Sequence, residues 1–271
     1  MFTLKPIQFV VKPLIFGLAL TSLAVSSFAK VKTEEITYTI DGVNYTGFMA
    51  YDDKKGQQPG VLVVHEWWGH NDYARQRTQQ LAEEGYTAFA LDMYGDGKLA
   101  SHPKDAKAFM MEVMQNLDLA EKRFDKAYDI LQSSKHTQKD NISALGYCFG
   151  GAVVLHMARA GKDLDGVISY HGSLGSAMGD KPANVKAKVR VFTGQQDPMI
   201  PAEQVANFTT EMFNAGADFS VQVYPGVKHS FTNKGATEKG EKYQLPLAYD
   251  AYADKDSWQQ SMEFLNELYQ D

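Results

Sequence analysis

Cysteine is almost absent. The 271 residues hold one, Cys148, so no internal disulfide can form. Long apolar runs are missing too, apart from Leu14 to Val25 near the start, which is short for a membrane span. There is no internal repeat and no low-complexity tract, which excludes solenoids and biased tails. Basic charge is not in excess: 27 Lys and Arg face 33 Asp and Glu, a formal net charge of -6. Nothing here points to a nucleic-acid surface. A zinc-protease motif is also lacking. His65-Glu66-x-x-x-His70 places its histidines one residue too far apart for one helix face, and the stretch leaves a strand.

The first segment reads as an export signal. Lys5 and Lys12 supply the basic region, the apolar run follows, and Ser27-Phe28-Ala29 offers small residues at −3 and −1. Cleavage after Ala29 leaves 242 of the 271 residues and moves the charge from -6 to -8 by removing Lys5 and Lys12. The expected division is 1–29 signal peptide and 30–271 one α/β domain, periplasmic or secreted, with no membrane contact once the signal is removed.

Strands and helices alternate along that domain. Ile36 to Tyr51 reads as a hairpin turning at Asp41-Gly42. Val61 to Val64 is a strand buried on both faces. A helix capped by Asn71 or Asp72 runs to Glu84, and Thr87 to Leu91 is the next strand. Lys104 to Ser133 reads as a long helix, whole or in two pieces. Ile142 to Leu145 is a strand and Gly151 to Ala160 a helix. Gly166 to Tyr170 and Val189 to Thr193 are strands, joined by a linker-like Lys181 to Lys188. Ala202 to Ala215 is a helix, Phe219 to Tyr224 the last strand, and Leu247 to Tyr269 a closing helix. This alternation predicts a mostly parallel central sheet with helices on both faces. Ligands bind beyond the carboxyl ends of such strands, where Glu66, Tyr94, Cys148, His171, Asp197 and His229 all fall.

The chemistry centres on Gly146-Tyr147-Cys148-Phe149-Gly150-Gly151. Gly-x-Cys-x-Gly between a strand and a helix has the spacing of a nucleophile elbow, with Cys in the place of Ser. The helix N-terminus there favours a thiolate and a developing oxyanion. A lone Cys is also often a small buried hydrophobe, and the downstream chain decides between the two. Asp197 follows a buried strand and Gly194. His229 follows the last strand. Nucleophile, acid, histidine is the order of an α/β-hydrolase triad, with His229 as the base and Asp197 as its orienter.

Together with Glu66-Trp67-Trp68-Gly69 and His229-Ser230-Phe231, these residues resemble the dienelactone hydrolase family, cysteine-dependent members of the α/β-hydrolase fold. The resemblance covers almost all of the mature chain. It implies hydrolysis of ester or lactone bonds through a thioester, with a small-molecule substrate and no metal or organic cofactor. It gives Glu66 a part in activating Cys148, and makes the backbone N–H groups of Trp67 and Phe149 the oxyanion hole. Tyr94, Tyr147, His171, Trp68 and Asn233 are the pocket candidates. His65, His70, His102, His136 and His156 read as structural or solvent-facing. Met110, Met111 and Met114 read as helix packing or pocket lining.

One departure bears on specificity. The family's arginine four residues after the catalytic histidine is Asn233 here. Its second arginine, expected near the long helix, leaves only Arg123. No carboxylate clamp can be placed, unless Lys98 or Lys234 serves as a point charge. Uncharged esters or lactones are the expected substrates, and a monomer is the expected state. Two other classes stand beside the hydrolase: a non-catalytic binding protein on the same fold, and a thiol redox protein using Cys148, which lacks a resolving cysteine.

Overall fold

The computed structural model describes residues 1–3, 31–176 and 184–269. All of the expected signal segment beyond its first three residues, and part of the Lys181 to Lys188 linker, lie outside the described residues.

Two antiparallel strands open the domain, β1 (Val31–Ile40) and β2 (Val43–Asp52). Asp41 and Gly42 both take positive φ, 51° and 81°, the backbone a tight two-residue hairpin requires. β3 (Gln58–Val64) follows, then α1 (Asp72–Glu84) and β4 (Thr87–Leu91). Asn71 caps α1 by accepting from the Tyr73 N–H, and Gly85 ends it at φ 105°. The long helical stretch is two helices, α2 (Pro103–Met114) and α3 (Leu117–Ser133). Asn116 separates them because its side chain accepts from the Leu119 N–H and starts α3 afresh.

Next come β5 (Thr137–Tyr147), α4 (Phe149–Arg159), β6 (Gly166–Tyr170), β7 (Lys188–Gly194), α5 (Ala202–Asn214) and β8 (Phe219–Tyr224). β5 is longer than Ile142 to Leu145, and α4 starts at Phe149 rather than Gly151. The turn at Cys148 is therefore a single residue. A short helix, α6 (Ala236–Tyr243), was not anticipated, and α7 (Ala251–Tyr269) starts later than Leu247. Residues 246–248 are instead held extended against the His229 loop: the His229 N–H donates to the Pro246 carbonyl and the Ala248 N–H to the His229 carbonyl.

The eight strands order as β1-β2-β4-β3-β5-β6-β7-β8, parallel from β4 to β8. The chain leaves β3 toward β4 and returns on the other side as β5, so the switch point lies between β3 and β5. Apolar strand residues face both ways. Leu62, Val64 and Ala144 pack with Phe124 and Leu131 of α3 and Val154 of α4. Val61, Val63 and Leu145 pack with Leu81 of α1 and Leu265 of α7 on the opposite face. This is the mostly parallel sheet, with helices on both faces, expected from the alternation. Among the described residues, no helix is long and apolar enough to cross a membrane.

Candidate active site

Cys148 links β5 to α4 with φ 55° and ψ −115°. That conformation is costly for a residue with a Cβ. Its neighbours hold it there. A Cβ on Gly146 would lie 2.1 Å from the Gly150 carbonyl oxygen, and one on Gly150 would lie 2.2 Å from that of Val64. Only glycines let the elbow close this tightly. The Cys148 N–H is shared between the Tyr170 carbonyl at 2.9 Å and His171 Nδ1 at 3.1 Å.

Asp197 and His229 meet across the ends of β7 and β8. His229 Nδ1 and Asp197 Oδ2 are 2.6 Å apart, and both residues are buried. The second carboxylate oxygen, Oδ1, accepts from the Met199 N–H at 2.9 Å, which fixes the carboxylate plane. His229 Nε2 has no hydrogen-bond partner and shares the cleft wall with Cys148. Burial by itself would lower the imidazole pKa. The charge of Cys148 on one side and the hydrogen bond and charge of Asp197 on the other outweigh it and raise the value to about 10.

Glu66 is buried at the end of β3. Its Oε1 accepts from the Ser230 hydroxyl at 2.8 Å and its Oε2 from the Asn233 amide at 2.6 Å. Neither bond goes to Cys148. The carboxylate ties the loop after β3 to the loop that carries His229.

A cleft of about 340 Å³ opens over Cys148 and His229. Met110, Met111 and Met114 of α2 form one wall, and Trp67, Met199, Ile200 and Leu247 much of the rest. Its polar members are Cys148, His229 and Ser173, and among the described residues no lysine or arginine lines it. The methionines had been weighed between helix packing and pocket lining; they line the cleft.

The five pocket candidates do not. Tyr94 is buried behind the wall, stacked on Phe149, with its hydroxyl donating to the Trp67 carbonyl at 3.0 Å. Trp68 lies behind Trp67, edge-on to it, under Lys239 and against Tyr243. Tyr147 stacks on Tyr170 inside the opposite core layer. His171 is fully buried at the Cys148 backbone, its pKa pushed well below the ordinary value by burial and by His229 and Arg77. With Nδ1 accepting from Cys148, its Nε2–H donates to the Thr232 hydroxyl at 2.8 Å. Asn233 is occupied by Glu66. The physical reason is shared: these side chains follow the strand-end residues in sequence, but strand alternation and tight turns carry them beneath or behind the cleft. Arg123 is likewise spent, on the Met93 carbonyl and close to Glu112. Lys98 sits by Glu112, and Lys234 lines a separate cleft.

The sequence reading missed Met199, Ile200, Ser173, Ala152 and Leu247 as cleft residues. Met199 and Ile200 carried a signal, since they follow Asp197 directly at a strand end.

The dienelactone hydrolase family model matches residues 46–269. The chain belongs to the dienelactone hydrolase family. It is thus a hydrolase acting on ester or lactone bonds, the first of the three classes weighed from the sequence. Among its relatives is "Protein usf" of Aquifex pyrophilus, 29% identical over 86% of this chain and 97% of that protein. A provisionally named carboxymethylenebutenolidase of Aquifex aeolicus (strain VF5) is 26% identical over 84% of this chain and 96% of that one. A crystal structure of a dienelactone hydrolase-like promiscuous phosphotriesterase from metagenomic libraries superposes with a TM-score of 0.81. It is 29% identical, covering 88% of this chain and 98% of its own. Cys148 and His229 share the cleft wall, while Asp197 is bonded to His229 and Glu66 to Ser230 beside it.

Proposed function

We propose that this member of the dienelactone hydrolase family cleaves uncharged esters or lactones through a thioester on Cys148, with His229 and Asp197 completing the triad, outside the cytoplasm. The observation that carries this reading is the position of His229. One imidazole nitrogen is engaged by Asp197 and the other is left unpartnered on the wall it shares with Cys148.

In this mechanism His229 holds the Cys148 proton while the thiolate attacks the substrate carbonyl carbon. The N–H groups of Trp67 and Phe149 stabilise the resulting oxyanion. Collapse expels the alcohol, which takes the proton from His229, and leaves the acyl group on sulfur. His229 then takes a proton from water, hydroxide adds to the thioester carbonyl, and collapse releases the acid and restores Cys148. Glu66 positions both halves of the site, because its carboxylate bonds Ser230 and Asn233 on the His229 loop while its backbone precedes the Trp67 N–H. It thereby supports acylation by Cys148.

The preference for uncharged substrates is supported by the cleft wall, which among the described residues offers no lysine or arginine. His229 lies between Asp197 and Cys148 and brings no net positive charge. Export is supported by the Lys5 to Ala29 segment, and the periplasm or the exterior is the proposed site of action. A panel of aryl esters, lactones and thioesters, assayed with the protein and with Cys148→Ala, tests the reading. Turnover by the first and none by a folded second is expected; near-normal turnover by Cys148→Ala contradicts it. Mass spectrometry of exported protein tests the address. A chain beginning at Lys30 is expected, and an intact amino terminus counts against it.

A further inference from the structure

We propose that His65 is a positioning residue for the oxyanion site: its ring locks the Glu66–Trp67 peptide so that the Trp67 N–H faces the cleft beside Cys148. The inference rests on the hydrolase reading above and adds a residue that the sequence reading had set aside as structural.

His65 directly follows β3 and is fully buried. Both ring nitrogens are bonded to backbone. The Met93 N–H donates to Nε2 at 3.1 Å, so Nε2 carries no hydrogen. Nδ1 must then be protonated, and it donates to the Glu66 carbonyl at 2.6 Å. Burial lowers the pKa of this histidine, which keeps the ring neutral and the tautomer single. The Gly69 N–H donates to the same carbonyl at 3.1 Å, closing a turn over residues 66–69.

A trans peptide points its N–H away from its C=O, and no peptide bond among the described residues is cis. The Glu66 carbonyl is turned inward, onto His65. The Trp67 N–H is therefore turned the other way. The following peptide is held as well, by the Tyr94 hydroxyl on the Trp67 carbonyl.

His65 also reaches the second donor. Its own carbonyl accepts from the Gly150 N–H at 3.1 Å, and its ring lies 5.8 Å from that of Phe149. The Phe149 N–H opens α4, in the first turn where helix N–H groups lack helical partners. One buried residue thus braces the loop after β3, the loop after β4 and the start of α4. An oxyanion hole works only if its donors are set before the charge appears, and a rigid neutral ring with one donor and one acceptor suits that task.

The test compares His65→Leu, which keeps bulk but loses both hydrogen bonds, with His65→Gln, whose amide retains a donor and an acceptor. Three quantities are read on each: kcat and KM for a neutral ester, and the rate of alkylation of Cys148 by iodoacetamide. Alkylation is a displacement at saturated carbon and builds no oxyanion, so it reports the thiol alone. His65→Leu is expected to lower kcat about 100-fold, with KM and the alkylation rate within about threefold of the parent. His65→Gln is expected to recover most of the loss. An unchanged kcat in His65→Leu, alkylation falling in step with kcat, or no recovery with Gln overturns the proposal.

Should His65→Leu fail to fold, nitrogen NMR of the parent protein decides. A neutral Nδ1–H tautomer held from about pH 5 to 9 supports the proposal, and an Nε2–H tautomer or a titration in that range overturns it. Absence of ester turnover in the parent protein removes the hydrolase reading and this proposal with it. An active parent with an unaffected His65→Leu removes only the proposal.

Discussion

A carboxylate on the substrate should be a handicap for this enzyme, and its size can be worked from the cleft. An ester seated in the cleft would meet Met110, Met111, Met114, Met199, Ile200 and Leu247, and among the described residues no lysine or arginine lines it. The candidate cations Arg123, Lys98 and Lys234 are engaged elsewhere: Arg123 on Met93 and beside Glu112, Lys98 beside Glu112, Lys234 on another cleft. Leaving a buried acceptor unsatisfied costs about 1–3 kcal/mol, and more when it is charged. The cleft is open at its mouth, so part of the hydration survives; about 2 kcal/mol is a fair floor. At 1.4 kcal/mol per tenfold, that is roughly a 30-fold loss in kcat/KM. The assay uses paired 4-nitrophenyl esters whose acyl chains end in a carboxamide or in the isosteric carboxylate. The carboxamide should be the better substrate by about that factor, with little dependence on salt. Met111→Lys places an ammonium on the wall and should narrow the gap, most at low salt. A carboxylate preferred by the parent protein, with the preference lost at high salt, would refute the reasoning by revealing a cation that serves the site.

Cys148→Ala should abolish turnover and leave the fold intact; His229→Ala and Asp197→Asn should each cost about 10²- to 10⁴-fold. Their losses should not add in the double variant, because the residues act as a unit; additive losses would argue for separate roles. Glu66→Gln should slow the acylation burst more than it lowers Tm, and unchanged burst kinetics would leave Glu66 a scaffold residue. Asn233→Ala deprives the buried Glu66 Oε2 of its donor and should destabilise the protein by about 1–3 kcal/mol, read from urea midpoints. His229, raised from 6.5 to about 10 in the folded chain, contributes stability that is full below about pH 6.5 and lost as pH rises through about 10. Cys148→Ala removes one of the groups that raise it, so the alkaline loss should begin at lower pH; identical pH–stability curves would contradict the coupling.

Much of the fold was legible because the strands carry their own signal. Val61 to Val64, Thr87 to Leu91 and Gly166 to Tyr170 are short apolar runs, as buried parallel strands are, and they form the sheet expected. Asp197 beside His229 was legible from chain order alone, since the fold brings those two strand ends together. The pocket was not. Tyr94, Tyr147, Trp68, His171 and Asn233 were chosen by nearness in sequence to the strand ends. Alternation sends Tyr147 into the core layer opposite, and Asn233 reaches Glu66 through a turn that no local pattern announces. His65 was passed over because its value lies in two backbone contacts, one of them to Met93 in a different loop. Leu247 was placed inside a helix because its segment has helical composition, yet its backbone is held by the His229 loop.

The central claim is that the acyl group passes through the sulfur of Cys148. Rapid-quench mass spectrometry during turnover of a slow aryl ester tests it most directly. A transient mass increase equal to the acyl group is expected, mapped to the peptide holding Cys148, forming and decaying at rates consistent with kcat. No such adduct is expected in Cys148→Ala. Steady hydrolysis with no adduct on Cys148, or an adduct on another residue, would contradict it.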